Sequence, residues 1–143
     1  MRTHLLSHLA AAQASTGGNA ARLVAALSGH VDAASLAFSP DRCLLAAGGR
    51  DGIARVWNVA SSKPAERSAI RTPGERFQSL AFSPNSRTLA LGSGNESGMV
   101  WVFDIFEKTP KEVALLKGAK GAVHALAFSP DGKLIAGGGE DST

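Results

Sequence analysis

Leu36-Ala37-Phe38-Ser39-Pro40 returns as Leu80-Ala81-Phe82-Ser83-Pro84 and again as Leu126-Ala127-Phe128-Ser129-Pro130. Successive copies stand 44 and 46 residues apart. A period of that size marks stacked supersecondary units, each unable to bury its apolar surface alone. The similarity extends outward. Leu44-Leu45-Ala46-Ala47-Gly48-Gly49 matches Thr88-Leu89-Ala90-Leu91-Gly92-Ser93 and Leu134-Ile135-Ala136-Gly137-Gly138-Gly139. Ile53 to Val59 matches Met99 to Ile105, and two extra residues within Gly94 to Ser97 account for the longer second spacing.

Each unit reads as short strands divided by turns. A first strand over 33–38 stops at Ser39-Pro40-Asp41, because proline has no N–H to continue a central ladder. A second strand, 43–49, is small and apolar, which suits a tightly packed layer. Asp51-Gly52 reads as a two-residue hairpin loop tolerant of positive φ. The third strand, 53–59, alternates, with Ile53, Arg55 and Trp57 on one side and Ala54 and Val56 on the other. Ser61-Ser62-Lys63-Pro64 leads to a fourth strand over 65–71. Four antiparallel strands per unit make one propeller blade. Leu36, Phe38, Leu80, Phe82, Leu126 and Phe128 are the expected packing anchors.

The composition agrees with a globular chain. Of 143 residues, 44% are apolar and 19% charged, which argues against wholesale disorder. No run reaches the roughly 18 apolar residues of a membrane-spanning helix. Fifteen basic residues stand against twelve acidic ones, a net charge of +3. No Lys/Arg run accompanies that excess, so nucleic acid is not an expected partner. Cys43 is the single cysteine, which fits a reducing, cytoplasmic setting. At the start, Ala12-Gln13-Ala14 has the small-x-small form of a cleavage site, but Ser7 and His8 interrupt the apolar stretch before it. Leu5, Leu6 and Leu9 share a helical face and Ala10 to Ala12 favour helix. Residues 1–19 are therefore expected to form a short helix or a flexible segment.

With these repeats in place, the chain resembles the WD-repeat β-propeller family over about residues 20–143. The first unit carries the fullest signature: Gly29-His30 opens it, Asp51 sits in its hairpin, and Trp57-Asn58 stands where the family has Trp-Asp. The resemblance implies an all-β fold of four-stranded antiparallel blades, here an incomplete, open arc. Residues 20–28 would be a lone outer strand of a preceding blade, 29–71 blade one, 72–116 blade two and 117–143 a partial blade three. It also implies a structural hydrogen-bond network of His30, Asp51 and Trp57 inside the blade. The family's strand hydroxyl is replaced by Ala47, Leu91 and Gly137, so no unit has the complete network. The second unit has Thr72-Pro73-Gly74 in place of Gly-His and Phe103-Asp104 in place of Trp-Asp. The third has Gly118-Ala119 and reaches only Glu140-Asp141-Ser142-Thr143, without its third and fourth strands. Propellers close with about 4 to 8 blades, so this stretch reads as a fragment of a longer protein. The rival is a self-assembling arc that associates through its open blade edges.

No constellation for catalysis stands out. His4 and His8 have helical i, i+4 spacing, but HLLSH lacks the glutamate of a metalloprotease helix and a third ligand. His124 reads as a half-buried strand residue. Ser39, Ser83 and Ser129 recur with the turn, which points to hydroxyls bonding local backbone. Cys43 aligns with Arg87 and Lys133, a rim position with no histidine beside it in sequence. Gly92 to Gly98 leads into a strand rather than a helix, so it is a hairpin and not a phosphate loop. No cofactor and no metal are expected. The resemblance implies a non-catalytic protein–protein interaction scaffold binding proteins or peptides. An alternative is a regulatory propeller segment of a larger signalling enzyme. Aligned polar positions at one face nominate Asp32, Arg50, Gln78, Glu96, His124 and Glu140 as partner contacts.

Overall fold

The computed structural model describes residues 8–14, 21–28 and 32–140. Twelve strands lie among them: β1 (His8–Ala14), β2 (Ala21–Ser28), β3 (Ala33–Phe38), β4 (Leu44–Gly49), β5 (Ile53–Asn58) and β6 (Ala65–Arg71), then β7 (Phe77–Phe82), β8 (Thr88–Ser93), β9 (Val100–Asp104), β10 (Lys111–Leu116), β11 (Val123–Phe128) and β12 (Ile135–Gly139). No helix occurs among the described residues. Strands β3 to β6 form one antiparallel meander and β7 to β10 a second, while β1–β2 and β11–β12 are two-stranded sheets. We refer to β3–β6 as blade one, β7–β10 as blade two and β11–β12 as blade three.

The strands of blade one fall where the repeat placed them. The N-terminal segment does not match its expectation. Residues 8–14 are a strand, paired with β2 from His8↔Ser28 to Ala14↔Ala21. Alanine's helix preference is a weak prior, and a neighbouring strand that satisfies the backbone along its length overrides it. Consequently β2 is not a lone outer strand, and His8 begins a strand instead of sharing a helical turn with His4, which lies outside the described residues. The hairpin after β4 also differs. The Gly52 N–H donates to the Gly49 carbonyl at 3.2 Å, and in this turn only Gly52 has positive φ, at 76°. That is a three-residue loop closed by a left-handed glycine, not a two-residue Asp-Gly turn. A side chain at Gly52 would also meet the Glu75 carbonyl at 2.5 Å, so the glycine lets the hairpin of blade one lie against the start of blade two.

Blades stack face to face. Leu44, Ala46, Ala54, Val56 and Ile70 of blade one form a single cluster with Phe77, Leu80, Phe82, Leu89, Leu91, Trp101, Phe103 and Ile105 of blade two. Phe77 and Trp101 meet edge to face, 5.9 Å between centroids at 82°. Gly48 allows this approach, since a β-carbon there would sit 3.0 Å from that of Phe77. The opposite face of blade two contributes Ala90, Val100 and Val102, which pack with Val123 and, less completely, with Ala114, Leu126, Phe128 and Ile135.

Of the six expected anchors, Leu80 and Phe82 are buried, whereas Leu36 and Phe38 are each 53% exposed. The reason is directional. These positions face the preceding blade: blade one covers Leu80 and Phe82, blade two half-covers Leu126 and Phe128, and Leu36 and Phe38 stand on the leading face of blade one. The larger anchors are Phe77, Leu89, Leu91 and Ile105, all at 2% exposure or less. Leu80→Ala is expected to cost about 2–5 kcal/mol. Leu36→Ala, at the same repeat position, should cost less than about 1 kcal/mol. Urea unfolding of both variants measures the difference, and equal losses would contradict this one-sided packing.

Candidate functional site

The residues nominated as contacts gather on one rim, and a backbone irregularity explains how. In the first strand of every blade the register slips against the second strand: between Ala33 and Ser35, between Phe77 and Ser79, and between Val123 and Ala125. Ala34, Gln78 and His124 are the extra residues. A bulge bends its strand and re-aims the side chain it carries. Just beyond it, each blade repeats one hydrogen bond: the N–H of Arg50, Gly94 and Glu140 donates to the carbonyl of Asp32, Arg76 and Ala122 at 3.2, 2.6 and 3.3 Å. Three equivalent positions per blade are thereby fixed side by side on the same edge of the stack.

Of these positions, Asp32, Arg50, Arg76, His124 and Glu140 carry exposed polar side chains and Gln78 a half-buried one, whereas Ala34, Gly94 and Ala122 carry no polar group. Arg50 Nη1 lies 3.8 Å from Asp32 Oδ2, with both side chains more than half exposed. His124 Nε2 lies 3.3 Å from Glu140 Oε1. Exposed pairs of this kind contribute little to stability and are easily exchanged for a partner's charges. Asp32, Arg50, Asp51 and Arg76 line an open recess of about 350 Å³. Glu96 is exposed in the loop between β8 and β9. The base of that loop is tied down by Asn95 and Ser97, whose side chains donate to Glu75 Oε2 at 2.7 and 3.3 Å. Sequence reading missed Arg76, which occupies the repeat position of Asp32. Comparing column by column, rather than looking for signature residues, would have found it. Among the described residues, no three His, Cys, Asp or Glu side chains are grouped to hold a metal ion.

The opposite edge carries the Ser-Pro turns, and they form a second repeated device. Ser39, Ser83 and Ser129 hydroxyls accept the N–H of Leu44, Thr88 and Leu134 at 2.9, 2.9 and 3.0 Å. The same hydroxyls donate to Asp41, Asn85 and Asp131 Oδ1 at 2.5, 2.6 and 2.6 Å. That oxygen in turn accepts the N–H of Cys43, Arg87 and Lys133. Arg42, Ser86 and Gly132 take the same left-handed conformation, at φ of 67°, 61° and 73°. The serines are turn residues, as their recurrence with proline suggested. Cys43 is half-buried beside the core cluster of blades one and two.

Comparison with known families adds one result. The model of the WD domain, G-beta repeat (WD40) matches residues 21–58 and 110–143, together just over half of the chain. The chain belongs to the WD40-repeat family. Each matched segment starts near an outer strand, β2 or β10, and runs on into the next sheet, the first through β3, β4 and β5 and the second through β11 and β12. The WD40 match leaves out most of blade two, the unit without Gly-His and Trp-Asp, although its strands repeat those of blade one. No curated protein matches the chain. Domains of WD40 repeats are typically non-catalytic and generally mediate protein–protein interaction. No helix among the described residues is long and apolar enough to cross a membrane.

Of the network that the resemblance implied, the structure describes two members. Asp51 Oδ1 accepts the Ile53 N–H at 3.1 Å, and Trp57 is buried in a cluster with Leu45 and Ala47. His30 lies outside the described residues.

The turn device has a measurable consequence. The Ser39 hydroxyl, followed by the Cys43 amide, holds the Asp41 carboxyl below the ordinary carboxylate range. The Ser129 hydroxyl, followed by the Lys133 amide, does the same to Asp131. A value lowered on folding gives stability that is present above the unfolded carboxylate range and lost as pH falls through the folded value. Asn85 makes the same bonds in blade two without a charge. D41N/D131N should therefore lose less stability than the natural chain between about pH 5 and pH 2. Urea midpoints measured across that window should converge toward acid, and parallel curves would contradict the assignment.

Proposed function

We propose that this WD40-repeat chain is a non-catalytic scaffold that holds protein or peptide partners on the rim built from Asp32, Arg50, Gln78, Glu96, His124 and Glu140. The observation that carries this reading is the bulge repeated in the first strand of all three blades. It turns Gln78 and His124 toward the edge where Arg50 and Glu140 are held by the same backbone bond in each blade. Such a rim is rigid in its backbone and variable in its side chains, which is what recognition without chemistry needs. Charges alternate along it, Asp32, Arg50 and Arg76 at one end and His124 with Glu140 at the other. Alternation supports a protein partner over a nucleic acid, which calls for a continuous basic track.

On the same reading, His30, Asp51 and Trp57 serve blade one as a hydrogen-bond network and take no part in partner contact. Support comes from the deep burial of Trp57, at 2% exposure, and from the short turn that Asp51 stabilises. Cys43 as a single thiol, with no disulfide to make, supports a cytoplasmic setting.

Quantitative capture from a lysate tests the rim. R50E/E140K should retain at most about a tenth of the partners held by the natural chain, a loss of roughly 1.4 kcal/mol of binding or more. Its unfolding midpoint should stay within error, because both side chains are exposed. A control, K108E, lies in the loop after β9 and should capture normally. Unchanged capture of every partner by R50E/E140K would count against the rim.

A further inference from the structure

Five of the six prolines follow a hydroxyl residue: Ser39-Pro40, Thr72-Pro73, Ser83-Pro84, Thr109-Pro110 and Ser129-Pro130. In sequence the five dipeptides look alike, and the fold separates them. Four of them open a closed β-turn with proline in its second position, the place that proline's fixed φ favours. The carbonyls of Ser39, Thr72, Ser83 and Ser129 accept the N–H three residues on, from Arg42, Glu75, Ser86 and Gly132, at 2.9, 3.2, 2.9 and 2.8 Å. The three serine hydroxyls are engaged as well. Each donates to the Asp or Asn two residues later and accepts an N–H from five residues later. Ser39 and Ser83 are buried, and Thr72 is half-buried.

Thr109 is the exception. It is exposed, as are Glu107, Lys108 and Lys111 beside it. Among the described residues, its carbonyl closes no such turn and its hydroxyl makes no hydrogen bond. The loop that carries it, 105–110, is held at its start. The Phe106 N–H donates to Asp104 Oδ1 at 2.8 Å, and the Arg67 guanidinium of blade one donates to the Phe106 carbonyl. The Arg87 guanidinium lies 4.9 Å from the centre of the Phe106 ring. Strand β10 resumes at Lys111, paired with Asp104. Thr109 thus stands in open backbone between two anchors. Both blades that build this loop are complete four-stranded sheets. The Ile105 N–H donates to the Arg87 carbonyl, which puts the loop at the edge of the Ser-Pro turns, opposite the rim.

A free hydroxyl on open backbone is what phosphoryl transfer requires. The acceptor oxygen has to come in line with the γ-phosphorus while a carboxylate takes its proton. A serine locked in a closed turn cannot reach that geometry until the turn opens. Pro110 offers no N–H, so the enzyme must be one whose groove accepts proline after the acceptor. We propose that Thr109 is a phosphorylation site, modified by a proline-directed protein kinase with Mg-ATP as phosphoryl donor. Thr109 Oγ1 forms a bond to the γ-phosphorus as the bond from that phosphorus to the β,γ-bridging oxygen breaks. ADP leaves with the electron pair, and the hydroxyl proton passes to the kinase's carboxylate. The product carries about two further negative charges on the Ser-Pro edge. The proposal does not depend on the polar rim.

The test incubates the folded 143-residue chain with a purified proline-directed kinase and Mg-ATP. Synthetic peptides, each centred on one of the Ser/Thr-Pro dipeptides, are treated in parallel, and tandem mass spectrometry reads the modified positions over time. The folded chain should gain one phosphate, on Thr109, at a rate close to that of the Thr109 peptide. Ser39, Ser83 and Ser129 should react at least about tenfold more slowly in the chain than in their peptides, because modification there waits for local opening. T109A should take up no phosphate at the rate of the natural chain. Labelling of the Ser-Pro serines in the folded chain as fast as of Thr109 would overturn the proposal. A Thr109 peptide that reacts while the folded chain does not, or a Thr109 peptide that the kinase rejects, would overturn it too.

Discussion

A sheet of four short strands cannot bury both of its faces, and this constraint governs the rest of the structure. Blade two meets it best, with Leu89, Leu91, Trp101 and Phe103 turned to blade one and Ala90, Val100 and Val102 turned to blade three. Size is matched across the first interface: the large side chains come from blade two, and Ala46, Gly48, Ala54 and Val56 of blade one leave them room. Blade one pays for its position in the stack with Leu36 and Phe38 half exposed. The same sequence position is thus core in one copy and surface in another, decided only by whether a neighbour covers it.

Between the blades, two repeated backbone devices maintain the stacking at either edge. At one edge the Ser-Pro turns close on a serine hydroxyl and an Asp or Asn side chain, and the Asp41 N–H reaches across to Ser86 Oγ in the next blade at 3.0 Å. At the other, Gly52 and Gly98 adopt positive φ and lie against the backbone of the following blade, at Glu75 and Ala119. The bulges beside that second edge disrupt pairing locally at Ala34, Gln78 and His124. On the proposed scaffold role, structure and recognition share one feature: Gln78 and His124, which the sheet leaves unpaired, lie on the rim assigned to a partner.

Much of this was legible in the sequence because the period fixes register. Strands β3 to β6 follow from proline, the Ser61–Pro64 turn and alternation, and the serine turn follows from its threefold recurrence. The failures have physical causes. Residues 8–14 carry a helix-favouring alanine run, and nothing local announces that β2 will pair with it. The three-residue hairpin at Gly52 is indistinguishable from an Asp-Gly turn in a single sequence, since both place glycine at the left-handed position. Leu36 looked identical to Leu80 because burial by a neighbour is not a property of the repeat itself. Gln78 and His124 were nominated by alignment alone. That they are bulge residues could not be read from the sequence, because a bulge shows only when two strands are paired.

Amide hydrogen exchange on the free chain tests the face-to-face stacking most directly. Leu89 and Leu91, paired on β8 between two strands and covered on both faces of their sheet, should exchange slowest. Ile135, Gly137 and Gly139 on β12, which among the described residues pairs only with β11, should exchange faster by orders of magnitude. Protection of β12 equal to that of β8, or uniformly rapid exchange through β8, would contradict the stacking of blade two between its neighbours.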